Sequence, residues 1–295
     1  MEFTKAHGTA NDFVVLTDLD DRLELSGALV RALADRRRGV GGDGVIRIGR
    51  GTRGADAFMD YRNADGSIVE LCGNGVRVVA KHLVDHGLVR EEPGVTVRIG
   101  TRAGVKRVRV VGWHDDGTVA EVAVDMGVPI LDPAEVPFET QTPDALLHTV
   151  EVDGGAVDLA VVSMGNPHGV VPVDDVAIAP VATLGPALET HQRFPAKANI
   201  GFAEVVSAER IRLRVWERGV GETAACGTGA CAAVVALQRL GRVGDEVAVR
   251  VQGGTLTVSH PVDGRVTMTG PAVEVARGIV DDAWLTAARR GELEA

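Results

Sequence analysis

The 295-residue chain contains a repeat of itself. CGNGVRVVAKHLVDHGLV at 72–89 aligns with CGTGACAAVVALQRLGRV at 226–243, six of 18 positions being identical: Cys, two Gly, then Leu, Gly and Val. Cys72 and Cys226 are 154 positions apart, Asn11 and Asn166 are 155 apart, and GDGVIRI at Asp43 is echoed 156 positions later by NIGFAEV at Asn199. Each half therefore reads as an Asn-bearing loop, a strand region, then Cys-Gly-x-Gly opening a helix. A repeat of this length restricts the fold to two similar units facing each other.

Helical periodicity runs over about 26–38, 75–86, 229–240 and 281–290. Between these segments lie short β-branched runs bounded by Gly, Pro and Asp: VIRIG, VTVRI, VKRVRVV, TVAEVAVDM, IRLRVW, EVAVRV, TLTVS and RVTMT. Strands in clusters, not alternating with helices, predict an α+β fold: two pseudo-symmetric domains, each a curved mixed sheet or barrel around a central helix, with the active site in the cleft between them. The turn-rich stretch DMGVPILDPAEVP (125–137) marks the boundary. The expected division is 1–127, with 271–295 packing back onto it, and 128–270.

Composition removes several function classes. The net charge is −10, which disfavours non-specific nucleic-acid binding. Only ten residues are aromatic (six Phe, three Trp, one Tyr), so base stacking is disfavoured too, whereas 37 glycines mean many turns and close backbone approaches. The first residues show neither an apolar run nor a cleavage pattern, and the uncharged stretch 223–238 is shorter than the roughly 20 residues of a membrane span. Three cysteines are too few for a disulfide scaffold. The expectation is a cytoplasmic protein with free thiols.

Two of those thiols carry the argument. Each stands in a Cys-Gly-x-Gly turn before a helix, where unpaired N–H groups and the positive end of the helix dipole favour thiolate. The same N–H groups make a cradle for a carboxylate. One such cysteine is commonly a small buried hydrophobe; two at matching places in a duplicated unit point to chemistry. Inverting a stereocentre with an acidic hydrogen needs a base on one face and an acid on the other, and cysteine, with a reference pKa of about 8.5, serves as either.

Seven motifs spread along the chain sharpen this. HGTANDF (7–13), YRNADGS (61–67), ELCGNG (70–75), MGNPHG (164–169), ANIGF (198–202), ERGVGET (217–223) and ACGTGAC (225–231) together resemble the diaminopimelate epimerase family. The resemblance implies isomerisation of LL-diaminopimelate to the meso form without pyridoxal phosphate, other cofactor or metal, in lysine and peptidoglycan-precursor biosynthesis, by a homodimer. It implies Cys72 and Cys226 as the two acid/base thiols. Gly73, Asn74, Gly227 and Thr228 would hold the reacting carboxylate at the helix starts. Asn11, Asn63, Asn166, Asn199, Glu217 and Arg218 would bind the rest of the substrate, with His168 and Glu217 tuning the thiols. A zwitterion with two carboxylates and two ammoniums suits amides, one Arg fork and one carboxylate. Each Asn taken singly is also readable as a turn residue, and His168 as a satisfied structural histidine.

The chain departs from the family pattern in places. Thr9 and Ala10 stand where HGxGN is commoner, Gly44 stands where some members have a substrate-contacting Gln, and Gly169 where Cys is frequent. GVGGDG (39–44) matches a dinucleotide-binding string but follows a helix and precedes a strand, so it reads as a helix C-cap turn. Cys226 and Cys231, five apart, have poor zinc spacing, and Cys231 reads as core. Arg36, Arg37 and Arg38 read as a solvated helix end. Alternatives of related fold are a proline or hydroxyproline racemase and a phenazine-biosynthesis-like isomerase; from another class, a non-catalytic amino-acid-binding protein. Serine at both cysteine positions would spare binding and remove catalysis, which separates the last from the enzymes.

Overall fold

The computed structural model describes residues 1–52, 54–89, 96–261 and 264–293. Val95, which opens the VTVRI run, and the last two residues of the 271–295 segment lie outside them. The chain divides into two compact units, Met1–Val124 with Gly270–Ala295, and Asp125–Thr269. The first opens with β1 (Glu2–Gly8), β2 (Asn11–Asp18), α1 (Gly27–Ala34), β3 (Gly44–Arg50) and β4 (Ala57–Asn63). It continues with α2 (Gly73–Asp85), β5 (Thr96–Thr101), β6 (Gly104–Trp113) and β7 (Val119–Gly127). Then come β8 (His148–Val152), β9 (Gly155–Ser163), β10 (Pro167–Val173), α3 (Val181–Glu189) and β11 (Asn199–Ser207). The second unit proceeds through β12 (Arg210–Glu217), β13 (Gly221–Thr223), α4 (Gly227–Arg239), β14 (Glu246–Val251), β15 (Gly254–Ser259) and β16 (Val266–Pro271). The chain then re-enters the first unit for β17 (Val273–Ile279) and α5 (Asp282–Arg290).

The strands of the first unit lie in the order β17–β1–β2–β3–β4–β5–β6–β7, antiparallel except for the parallel pairs β2/β3 and β4/β5. Those of the second lie in the order β8–β9–β10–β11–β12–β14–β15–β16, antiparallel except for β10/β11 and β12/β14. The two patterns coincide strand for strand. Helix α2 packs against β17, β1, β4, β5 and β6, and α4 against β9, β10, β11, β12, β14 and β15. A sheet in which five or six strands touch one helix must curve around it. The expected α+β architecture, a curved mixed sheet on a central helix, is present in each unit.

Both central helices are buried along nearly their whole length. Residues such as Val76, Val79 and Leu83 in α2 and Val234, Val235 and Leu237 in α4 are at most 1% exposed, each contributing about 1.5–3 kcal/mol of burial. A second apolar layer covers the first unit's other side, where Leu29 and Leu33 of α1 meet Leu285 of α5 and Val14, Leu16 and Val45 of the sheet. Among the described residues no helix is long and apolar enough to cross a membrane.

Several sequence expectations are corrected. The first helix ends at Ala34, not Arg38, because the carbonyls of Leu33 and Ala34 accept from Gly41 and Gly42. GVGGDG thus forms the expected cap turn, with Gly41 at φ +81°. Arg36 does not serve a helix end: its guanidinium grips Asp12 at 2.7 and 2.9 Å and Asp43 at 2.7 Å. The central helices start two residues earlier than their periodicity shows, at Gly73 and Gly227. Helix α3 escapes the sequence reading because Gly185 and Pro186 interrupt it. Gly185 is required there, since a Cβ would lie 2.6 Å from Cγ of Trp216.

Candidate active site

Each central helix begins with a cysteine used as its N-cap. Cys72 has φ −136° and ψ 111°, Cys226 φ −119° and ψ 112°, and each Sγ accepts from the backbone N–H three residues on, Gly75 or Gly229, at 3.4 Å. Sulfur here takes the place that oxygen holds in ordinary N-caps. The first N–H groups of a helix have no carbonyl partner within it. Gly73, Asn74, Gly227 and Thr228 therefore present backbone donors and a positive dipole end beside each thiol.

Around Cys72 the amides are directed by a chain of hydrogen bonds. The Asn11 amide donates to Asp43 Oδ2 at 2.8 Å, which turns Asn11 Oδ1 toward Cys72 Sγ at 3.7 Å and Asn74 Nδ2 at 3.2 Å. Asn74 Oδ1 in turn accepts from Arg77 at 2.6 Å. Arg77 is fully buried and also donates to Thr9 Oγ1 at 2.9 Å and to the Pro271 carbonyl at 3.0 Å. Asp43 is clamped by Arg36, which also holds Asp12, where Lys5 adds a second cation. Burial alone would raise the Asp12 carboxyl, but the bonds from Arg36 and Lys5 hold it far below the carboxylate range.

The β1–β2 hairpin that presents Asn11 turns on Thr9 and Ala10, at φ +56° and +62°. Two consecutive residues of positive φ match the twist of a tight hairpin, at a steric penalty for side chains bearing Cβ. Asn63 is held further along this unit: its Oδ1 accepts from Tyr61 at 3.0 Å and its amide donates to Ser67 at 3.0 Å. Tyr61 explains Gly44. A Cβ on Gly44 would lie 2.5 Å from the Tyr61 ring and 2.3 Å from the Arg62 carbonyl, so the ring fills the space a side chain would take.

Cys226 sits in drier surroundings, 4% exposed. Burial pushes its thiol well up, and the Glu217 carboxylate beside it pushes the same way, outweighing the bonds from Thr228 and the Gly229 N–H. The thiolate expected at a helix start is thus overridden here by desolvation. Glu217 itself accepts from the Thr223 hydroxyl. His168 stands on β10, its Nε2 3.1 Å from Asn166 Oδ1. Burial, then Arg218, hold its pKa down at about 3, so the ring is neutral at ordinary pH. Asn199 is 4% exposed and spends its amide on the backbone, donating to Pro167 O at 3.2 Å and accepting from Arg218 N at 2.9 Å. The Arg218 side chain is exposed and bonds to the Ala196 carbonyl at 2.9 Å.

The structure therefore gathers Asn11, Gly73 and Asn74 at Cys72, and Glu217, Gly227 and Thr228 at Cys226. Asn63 is built into the β4 end, and Asn166, His168, Asn199 and Arg218 are linked around β10 and β11, Arg218 directly following Glu217. Sequence reasoning missed Asp43, Arg77, Tyr61 and Thr223. A charged residue amid the apolar GVRVV was the only signal for Arg77.

Comparison with known proteins places this geometry. The family model for diaminopimelate epimerase matches residues 3–131 and 160–275. A diaminopimelate epimerase from Aromatoleum aromaticum is 46% identical over 284 residues, covering 95% of this chain and 99% of that protein. One from Halorhodospira halophila is 48% identical and covers 95% of each. Among solved structures, a probable proline racemase from Agrobacterium radiobacter superposes with TM-score 0.68 at 19% identity, covering 97% of this chain and 95% of that one. A predicted epimerase from Pseudomonas aeruginosa gives 0.67 at 17% identity, over 95% and 98%. These two share the fold. With the family model matching along most of its length and relatives nearly half identical over 95% of it, the chain belongs to the diaminopimelate epimerase family and is an isomerase acting on amino acids.

Proposed function

We propose that the protein epimerises LL-diaminopimelate to the meso isomer by a two-base mechanism, with Cys72 and Cys226 as the bases. The observation that carries this reading is the matched pair of cysteine N-caps, at equivalent places in a duplicated unit, each at the positive end of a buried helix. A single thiol could serve packing; two in this setting supply what inversion of an acidic stereocentre requires.

In the step proposed, one thiolate removes the α-hydrogen and becomes a thiol. The carboxylate takes up the developing charge, stabilised by the helix-start N–H groups. The other thiol delivers its proton to the opposite face and becomes the thiolate, so the next turnover in the same direction needs the protons redistributed. Burial and Glu217 favour the protonated form at Cys226, which suits it to act as acid while the less buried Cys72 acts as base for one hand of substrate.

Asn11 and Asn74 would orient the reacting end; Asn63, Asn166, Asn199, Glu217 and Arg218 would meet the remaining polar groups, with His168, kept neutral, as hydrogen-bonding partner. The proposal extends to action without a cofactor or metal, as a cytoplasmic homodimer, in supply of lysine and peptidoglycan precursors; family membership supports these features. Reduced protein incubated with LL-diaminopimelate in deuterated water, without added pyridoxal phosphate, tests the reading by NMR. Meso product carrying α-deuterium is expected. Neither conversion nor exchange by folded, reduced protein would overturn it.

A further inference from the structure

Helix α2 begins at Cys72 and carries a second cluster near its other end. His82 and His86, one turn apart, stack at 3.9 Å between ring centroids, with planes 30° apart. Glu274 of β17 meets both: its Oε1 lies 2.7 Å from His82 Nδ1 and 3.1 Å from His86 Nε2. We propose that His82, His86 and Glu274 form a site for a divalent transition-metal ion of the zinc type.

The donor set is two imidazoles and one carboxylate, a combination such ions take in proteins with a water or anion completing the tetrahedron. The three ligand atoms lie within 4.8 Å of one another. A tetrahedral ion at about 2.0–2.1 Å from its ligands sets them about 3.3 Å apart, so the carboxylate moves by about 0.6 Å from His82 and about 0.2 Å from His86 to admit it. The flanking bonds suit the task. Thr17 Oγ1 sits 2.8 Å from His82 Nε2 and fixes that ring from behind. Arg277 holds Oε2 at 2.8 Å, keeping the carboxylate ionised and leaving Oε1 toward the histidines.

The protons balance without a co-reactant. In the metal-free form each imidazole donates an N–H to Glu274. On binding, His82 becomes the tautomer with hydrogen on Nε2, donating to Thr17, and His86 the one with hydrogen on Nδ1; a doubly protonated ring releases its extra proton to water. A cavity of about 870 Å³ lined by both histidines leaves room for the fourth ligand. Arg22, Arg277 and Arg289 outnumber Glu2 and Asp18 on its wall, which favours an anion there, such as hydroxide or chloride. The ion would pin α2 to β17. It lies about 15 Å along the helix from Cys72, so it is a tie within the first unit and not part of the cysteine chemistry.

The test uses the full-length protein stripped with a chelator and titrated with Zn²⁺ by calorimetry and with Co²⁺ by visible absorption. One ion per chain is expected, with tetrahedral Co²⁺ bands. His86→Ala should weaken uptake at least about tenfold, whereas Cys72→Ser and Cys226→Ser should retain it. In the unaltered protein, Zn²⁺ should shift the ring resonances of His82 and His86 in the NMR spectrum. No uptake at millimolar metal, uptake lost with the cysteines, or histidine resonances that stay in place would each overturn the proposal.

Discussion

Helix α2 buries Arg77, Lys81 and His82 in its middle turns, whereas α4 has Cys231, Val235 and Ala236 at the positions 154 residues later. The two helices have the same length and the same cysteine cap. Their bodies satisfy burial by different means. In α2 every charged group has a directed partner: Arg77 on Asn74, Thr9 and Pro271, Lys81 on the Val119 carbonyl at 2.7 Å and Asp85 at 2.6 Å, His82 on Glu274 and Thr17. In α4 alanines and valines pack against the strands, with Cys231 the one other side chain between Ala230 and Leu237. A duplicated helix is therefore constrained at its first turn, where the thiol sits. Further along, either a directed hydrogen-bond network or a largely apolar interface meets the demands of burial.

That contrast can be broken or sharpened by experiment. If the first turns are equivalent, Cys72→Ala and Cys226→Ala should each lower the epimerisation rate by about a thousandfold or more, while Cys231→Ala keeps turnover. A rate within tenfold of the parent in either cap variant would end the equivalence.

Acid should separate the units next. His168 has a folded pKa of about 3 against 6.5 unfolded, so the unfolded chain binds the extra proton between those values. Its contribution is lost as pH falls below 6.5, reaching about 4 kcal/mol near pH 3. Burial raises Glu274, but bonds from His82, Arg277 and His86 bring its pKa to about 2 against 4.5. Its contribution is present above pH 4.5 and lost toward pH 2, about 2 kcal/mol after solvent screening. Hydrogen exchange measured against pH should show β10 losing protection before α2; the reverse order would break this pairing.

Arg77→Met should cost about 3 kcal/mol by leaving three acceptors unmet, against about 1 kcal/mol for Cys231→Ala, as read by denaturant unfolding. Equal losses would mean the network adds nothing beyond packing. Gly44→Ala drives a Cβ onto backbone and should cost about 2 kcal/mol. Gly169→Ala, whose Cβ meets side-chain atoms of Ile200, Phe194 and Leu159 at 3.2–3.6 Å, should cost under about 1 kcal/mol. The smallest effect is expected at the hairpins. Gly165, at φ +93°, is the counterpart of Ala10, so Ala10→Gly should raise the melting temperature slightly, by about 0.5 kcal/mol of stability.

The duplication, the central helices and the cysteine turns were legible because they depend on local spacing and on chemistry repeated at a fixed interval. Helix α5 was legible too, from Asp281, which caps Ala283 and Trp284, and Gly291 at φ +72°. What the sequence hid depends on distant partners. Arg36 reads as one of three arginines at a helix end, and only the fold brings Asp12 and Asp43 to it. Gly185 and Pro186 look like a break until Trp216 is placed against the glycine. The raised thiol of Cys226 reflects how much water the fold removes, and the string Cys-Gly-Thr-Gly carries no record of that.

The first unit is closed by the end of the chain. Strand β17 pairs along β1, and Met1 and Val280 exchange backbone hydrogen bonds. Synthesis runs from the N-terminus, so β1 is made before β17 and waits for its partner until the chain has passed residue 273. The second unit is continuous and has every strand in hand earlier. A ribosome that stalls or terminates before residue 273 leaves β1 with an unpaired edge over Phe3 and its neighbours, the kind of surface that aggregates. Strand β17 thus serves as a completion check: the half that carries Cys72 is finished only when residues 273–279 have been made.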